Sequence, residues 1–83
     1  MPYFVYMLLS KYNGKFISYV GYTKNLKNRL TLHNSSKGAK FTKGKKWKVI
    51  YYKRYLDKSK AMKDEYKLKK DYKLRSKIKS KFL

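Results

Sequence analysis

The chain contains no cysteine, which excludes disulfide staples, thiolate chemistry and cysteine-based zinc sites, so packing alone must hold it together. Acids are nearly as scarce: Asp57, Asp64, Glu65 and Asp71 are the only 4 among 83 residues, against 24 Lys and Arg, for a formal net charge of +20. Two-metal phosphoryl chemistry normally gathers several carboxylates around paired ions. So few acids support at most one hard cation, held by one carboxylate, water and a substrate phosphate. No apolar run approaches the ~18 residues of a membrane span. The chain also has no Walker loop, no GxGxxG motif and no Ser-His-Asp arrangement, so protease, kinase and dehydrogenase readings have nothing to stand on.

What is present points to a polyanionic partner, because a chain of this charge repels itself until it is neutralised. Ten Tyr, 4 Phe and 1 Trp, with 42% apolar residues, are too many for a disordered basic tail and mark a folded basic domain. Aromatic-rich basic domains suit nucleic acid better than an anionic membrane surface. The length holds one domain, expected to span residues 1–83 with a core over 3–70 and a basic helical tail over 71–83. A cytoplasmic location, with nucleoid association as one option, is the matching expectation.

The opening MPYFVYMLLS lacks a basic n-region and a small-residue cleavage site, so it reads as a strand rather than a signal peptide. Residues 3–9 are apolar on both alternating faces, which predicts a strand covered on both sides and central in its sheet. Asn13-Gly14 signals a hairpin into a second strand over 15–22. Thr23 or Asn25 caps a helix over 25–34. A basic loop over 35–46, with one helical turn at 39–42, leads to a third strand over 47–55. Asp57 or Ser59 caps a helix running to about residue 70, and an amphipathic stretch continues to Lys81. The order β-β-α-β-α predicts an α+β domain with a three-stranded sheet, since a hairpin cannot open an all-parallel sheet.

On the first helix, at ~100° per residue, Leu26, Leu30 and His33 share an arc of about 60°, and Arg29 lies roughly 40° beyond His33. Arg29 and His33 are therefore neighbours at the border of the core. The plain alternative is that Arg29 snorkels and His33 caps the last turn. On the later helix, Glu65 projects from a face made by Ala61, Leu68 and Tyr72, with Met62 at its edge, while Asp64 and Asp71 point elsewhere. A lone acid on an apolar face is costly unless it is paired or holds a cation, and an ion pair with one of the many lysines competes with the second option. Tyr6 and Tyr19, on adjacent strands, can share a sheet face as chemistry or as packing.

These positions match a known pattern. Phe4-Val5-Tyr6 followed by Tyr19-Val20-Gly21 resembles the paired signature of the GIY-YIG nuclease superfamily. The segment from Tyr22-Thr23-Lys24-Asn25-Leu26 through Arg29-Leu30 to His33-Asn34 is similar to its first helix. Gly38-Ala39-Lys40-Phe41-Thr42, the strand over 47–52, and Ala61-Met62 leading to Glu65 resemble the short stand-alone UPF0213-type bacterial branch. The resemblance covers roughly residues 3–70. Phe4 stands where the signature has Gly and Val20 where it has Ile. Tyr22 replaces a lysine, whose charge then falls to Lys24 or Lys40, and no Asn follows Asn34 to serve as the late polar residue of many members.

The resemblance implies a three-stranded antiparallel sheet flanked by helices and a site that cleaves nucleic-acid phosphodiesters, DNA ahead of RNA, in repair or processing. It implies one Mg²⁺ or Mn²⁺ ion on Glu65, charge compensation by Arg29, Tyr19 or His33 as general base, and Tyr6 orienting the water. Lys24, Lys40, Lys43, Lys45 and Lys46 would track the backbone, with specificity supplied by the domain or by a partner protein. The competing expectation is a non-catalytic DNA- or RNA-binding domain of the same fold.

Overall fold

The computed structural model describes residues 2–83. Asn13 and Gly14 both take positive φ, 51° and 77°, the backbone of a two-residue turn whose twist matches that of its flanking strands. The turn joins β1 (Tyr3–Tyr12) to β2 (Lys15–Thr23). Because Tyr12 pairs with Lys15, the register is fixed along the whole hairpin, with Leu8 opposite Tyr19 and Tyr6 opposite Gly21. β3 (Lys48–Tyr55) adds to the other side of β1, giving the antiparallel order β2-β1-β3. The central place expected for β1 is observed, and every residue from Val5 to Ser10 is buried.

Burial on both sides follows from helices packed on both faces. Val5, Met7 and Val20 meet Ala61 and Leu68 of α2 (Lys58–Lys70), with Ile78 of α3 (Tyr72–Phe82) packed alongside. On the opposite face Tyr6, Leu8 and Trp47 meet Leu26 and Leu30 of α1 (Leu26–Asn34). A register irregularity between Met7 and Leu8 skips Ile50 of β3, which lets Val49 face α1 while Ile50 and Tyr51 face α2.

The caps are local. Asn25 Oδ1 accepts from Asn28 N at 3.0 Å and Asp57 Oδ1 accepts from Ser59 N at 2.8 Å, so of the residues predicted to cap, Asn25 and Asp57 do so. Asp71 ends α2 and caps α3 through Leu74 N at 3.0 Å, which breaks the helical stretch in two. The break corrects one expectation. Tyr72 does not extend the buried face of α2; it opens α3 and is 70% exposed. A short 3-10 turn (Lys40–Thr42) lies in the basic loop before β3. Among the described residues, no helix is long and apolar enough to cross a membrane.

Leu8 is fully buried and Leu56 is 76% exposed, so truncation should separate them. Leu8→Ala is expected to cost about 2–5 kcal/mol in urea unfolding, and Leu56→Ala no more than about 0.5 kcal/mol.

Candidate active site

The hairpin register places Tyr6 beside Gly21, and the ring lies across that glycine. A Cβ at position 21 would sit 2.5 Å from the Tyr6 hydroxyl oxygen, so only glycine lets the phenol reach outward over β2. Its hydroxyl meets His33 Nε2 at 2.9 Å, and His33 Nδ1 meets Thr42 Oγ1 at 2.8 Å. Thr42 Oγ1 in turn donates to the Ala39 carbonyl at 2.8 Å. The last bond sets the direction of the others. The single hydroxyl proton of Thr42 goes to Ala39, so Thr42 accepts from His33 Nδ1–H, Nε2 is the acceptor, and Tyr6 donates to it.

All three side chains are enclosed, with His33 and Thr42 at 0% and Tyr6 at 1% exposure. Burial lowers the imidazole pKa below its usual 6.5, and the neighbouring Arg29 charge lowers it further. The Tyr6 phenol is pushed up to about 12, first by burial. Hydrogen bonding and charge from Arg29 pull it back, while Tyr19 and Glu65 push it further up. Arg29 and Glu65 therefore both act on one phenol oxygen from different elements. His33 is not a cap on the last turn of α1. It is sealed under the 3-10 turn, where Gly38 leaves the space that a Cβ would need beside the ring.

Tyr19, opposite Leu8, projects from the same sheet face as Tyr6. Its ring lies 5.1 Å from that of His33, 6.5 Å from Tyr6 and 6.2 Å, nearly parallel, from Phe41. It is half-buried, so it stays more open than Tyr6. Arg29 is also half-buried, one turn before His33 as the spacing predicts.

Glu65 is inward-leaning as expected, with a side chain 17% exposed, and its partner is Lys69 at 3.7 Å on the next turn. Asp64 corrects the sequence reading. It does not point away: it is half-buried and accepts a hydrogen bond from the Tyr55 hydroxyl, and burial first, then Asp64, raises the Tyr55 and Tyr51 pKa values. The reason is the helix seam. With α2 seated on Ala61 and Leu68, Asp64 and Glu65 fall about 40–60° to either side of that line, so Asp64 turns to β3 and Glu65 to the side of Tyr6. Among the described residues, no group of three or more His, Asp or Glu gathers as a metal cluster, and Glu65 is the carboxylate whose charge acts on the Tyr6 phenol.

Of the lysines expected to meet a backbone, Lys24, Lys40, Lys43 and Lys46 are exposed. Lys45 is committed elsewhere. Its ammonium donates to the Phe41 and Lys43 carbonyls at 3.1 and 3.4 Å and lies 4.9 Å from the Tyr12 ring centre. Thr42 and Asn34 are functional supports that the sequence reading missed. Asn34 clamps the Trp47 backbone through bonds of 2.6 and 3.1 Å, and Trp47 Nε1 donates to the Thr42 carbonyl at 3.0 Å. No spacing rule joins residues 33, 34, 42 and 47; the folded loop does.

Residues 2–79 match the GIY-YIG catalytic domain. The chain is 48% identical over 52 residues to a UPF0213 protein of Oceanobacillus iheyensis, covering 61% of this chain and 60% of that one. It is 40% identical over 68 residues to a UPF0213 protein of Staphylococcus haemolyticus, covering 81% and 79%. The solution NMR structure of a UPF0213 protein from Bacillus halodurans is similar, at 30% identity with a TM-score of 0.52 over 96% of this chain and 84% of that one.

Two measurements test the buried chain of bonds. Thr42→Val leaves His33 Nδ1–H without an acceptor and is expected to cost about 1–3 kcal/mol in urea unfolding. Because burial makes the folded chain resist protonating His33 while the unfolded chain takes the proton near pH 6.5, the stability carried by the neutral ring, with Nε2 accepting from Tyr6, is full above about 6.5 and is lost as the pH falls below it. The NMR resonances of the chain's 1 histidine should stay those of a neutral ring through that pH, and His33→Gln should flatten the stability profile there. An imidazole titrating at or above 6.5 would contradict the assignment.

Proposed function

Because the chain belongs to the GIY-YIG family of catalytic domains, we propose that it hydrolyses nucleic-acid phosphodiester bonds, with DNA as the principal partner and DNA repair or processing in the cytoplasm as the setting. The observation that carries this reading is the convergence on the Tyr6 hydroxyl. His33 accepts its proton from α1, while Arg29 and Glu65 act on it from α1 and α2. A structural hydroxyl needs one buried partner, which His33 supplies, but has no use for Arg29 and Glu65 acting on the same oxygen.

The donor set fits one Mg²⁺ or Mn²⁺ ion. Magnesium keeps several waters and is commonly held by one or two carboxylates plus substrate phosphate. Glu65 offers one carboxylate, and at 3.7 Å its contact with Lys69 is longer than a charge-assisted hydrogen bond, so its oxygens remain able to ligate. The chemistry such an ion supplies when bound is Lewis-acid polarisation of the phosphoryl group.

The remaining work falls to the chain's own side chains. Arg29 offsets charge gathering on the phosphoryl oxygens. The attacking water passes a proton to the Tyr6 oxygen as Tyr6 hands its own to His33 Nε2. The new P–O bond forms while the bond to the leaving oxygen breaks, and that oxygen takes a proton from solvent. The depressed pKa of His33 keeps it neutral, hence able to accept, at neutral pH. Tyr19, more open than Tyr6, orients the water. His33 thus works as base through Tyr6 rather than by touching the water itself, because its Nε2 is already bonded to the phenol.

Exposed Lys24, Lys40, Lys43 and Lys46 hold the backbone. If about six phosphates are neutralised in all, log K should fall against log salt with a slope near −5 on duplex DNA. The Glu65–Lys69 pair is the one observation that favours a non-catalytic binding domain instead.

Cleavage of single-stranded, duplex and branched DNA with and without Mg²⁺ separates the two. Wild type is expected to cut only with the ion. Arg29→Ala should cut about 10²–10³-fold more slowly, and Glu65→Ala should cut at background, with binding retained in both. Wild type cutting no better than these variants, while all three bind, leaves the binding domain as the function.

A further inference from the structure

On the far flank of α1 from the site lies an open groove of about 540 Å³. Phe4, Leu26, Val49 and Tyr52 line it, together with Lys24 and Lys27. Phe4 and Tyr52 meet edge to face, with ring centres 6.1 Å apart and planes at 65°, and Tyr52 remains 59% exposed. An apolar recess bounded by polar groups on so charged a protein is a recognition feature rather than a packing remnant. None of the four acids lines it, and both charged residues that do are cationic.

Its position relative to the site is set by helix geometry. At ~100° per residue, Arg29 and Lys27 stand about 160° apart around α1, one on each side of the Leu26–Leu30–His33 stripe. The site and the groove are therefore separated by the thickness of one helix, about 10 Å.

We infer that the Phe4–Tyr52 groove receives an unpaired nucleobase of the strand that the site engages, with Lys24 and Lys27 holding the flanking phosphates. This rests on the nucleic-acid reading above and narrows the substrate to single-stranded or locally unpaired nucleic acid. An aromatic face beside cations is the arrangement that binds single strands without sequence preference, since every base has a face to stack. A duplex keeps its bases stacked internally and cannot supply one to the groove without unpairing.

The test is binding in EDTA, so that no cleavage occurs and failure of the nuclease reading leaves the result interpretable. Affinities are measured by fluorescence anisotropy for an oligothymidylate, a duplex, and a strand with abasic positions throughout its centre. Tyr52→Ala is expected to weaken oligothymidylate binding about tenfold or more, to change duplex and abasic-strand binding less than about twofold, and to leave the salt slope unaltered. Tyr52→Phe, which keeps the ring, should restore wild-type affinity. Tyr52 is exposed enough for both variants to fold, and unchanged thermal midpoints confirm it.

Oligothymidylate affinity unmoved by Tyr52→Ala would overturn the inference. So would an equal loss on the abasic strand, or no rescue by Tyr52→Phe. Sedimentation showing a dimer that Tyr52→Ala dissociates would assign the groove to a second copy of the chain and overturn it as well.

Discussion

One buried line of hydrogen bonds organises the molecule: Tyr6 to His33 to Thr42 to the Ala39 carbonyl. The first two bonds cross between elements, from the central strand to the first helix and from there to the basic loop, and the third closes within that loop. Buried bonds of this kind are costly to leave unmade, so the three elements are held in one arrangement. Two glycines follow from the same constraint. Side chains at Gly21 or Gly38 would occupy the space of the Tyr6 hydroxyl or the His33 ring. The direction of proton donation is also fixed, because Thr42 has only one proton to give and gives it to the backbone.

The scarcity of acid acquires structural meaning from this line. α2 carries two adjacent carboxylates, and the seam through Ala61 and Leu68 sends them to opposite sides. Asp64 is absorbed by Tyr55 on the β3 side. Glu65 is left within electrostatic reach of Tyr6, together with Arg29. The large positive charge serves attraction, while the single suitably placed carboxylate limits any metal chemistry to one ion. The same charge organises the far flank of α1, where cationic residues border aromatic surface instead of acids.

Much of this was legible in the sequence. Asn13-Gly14 fixed the hairpin, the doubly apolar run in β1 fixed its central place, and the 26-30-33 spacing put Arg29 beside His33. The Tyr6–Tyr19 relation was more readable than it first looks, because a two-residue turn forces Tyr6 opposite Gly21 once Tyr12 meets Lys15. The orientation of Asp64 was not readable. A helical wheel gives angles but not which line of the helix seats on the sheet, and the Asp71 break removed Tyr72 from the face used to judge it. The enclosure of His33 was equally hidden, because it depends on Thr42 returning from a loop whose path no periodicity describes. Lys45 was lost to the loop for the same reason: charge alone does not say whether an ammonium faces solvent or its own carbonyls.

The central claim is that Tyr6, besides packing in the core, carries a proton between water and His33. Single-turnover DNA cleavage with Mg²⁺ by wild type and Tyr6→Phe, under conditions where both are folded and bound, tests it most directly. Loss of the hydroxyl alone is expected to slow cleavage about 10²–10⁴-fold, the usual contribution of a positioned acid–base group, with affinity for DNA unchanged. A Tyr6→Phe variant that cuts at the wild-type rate would contradict the account.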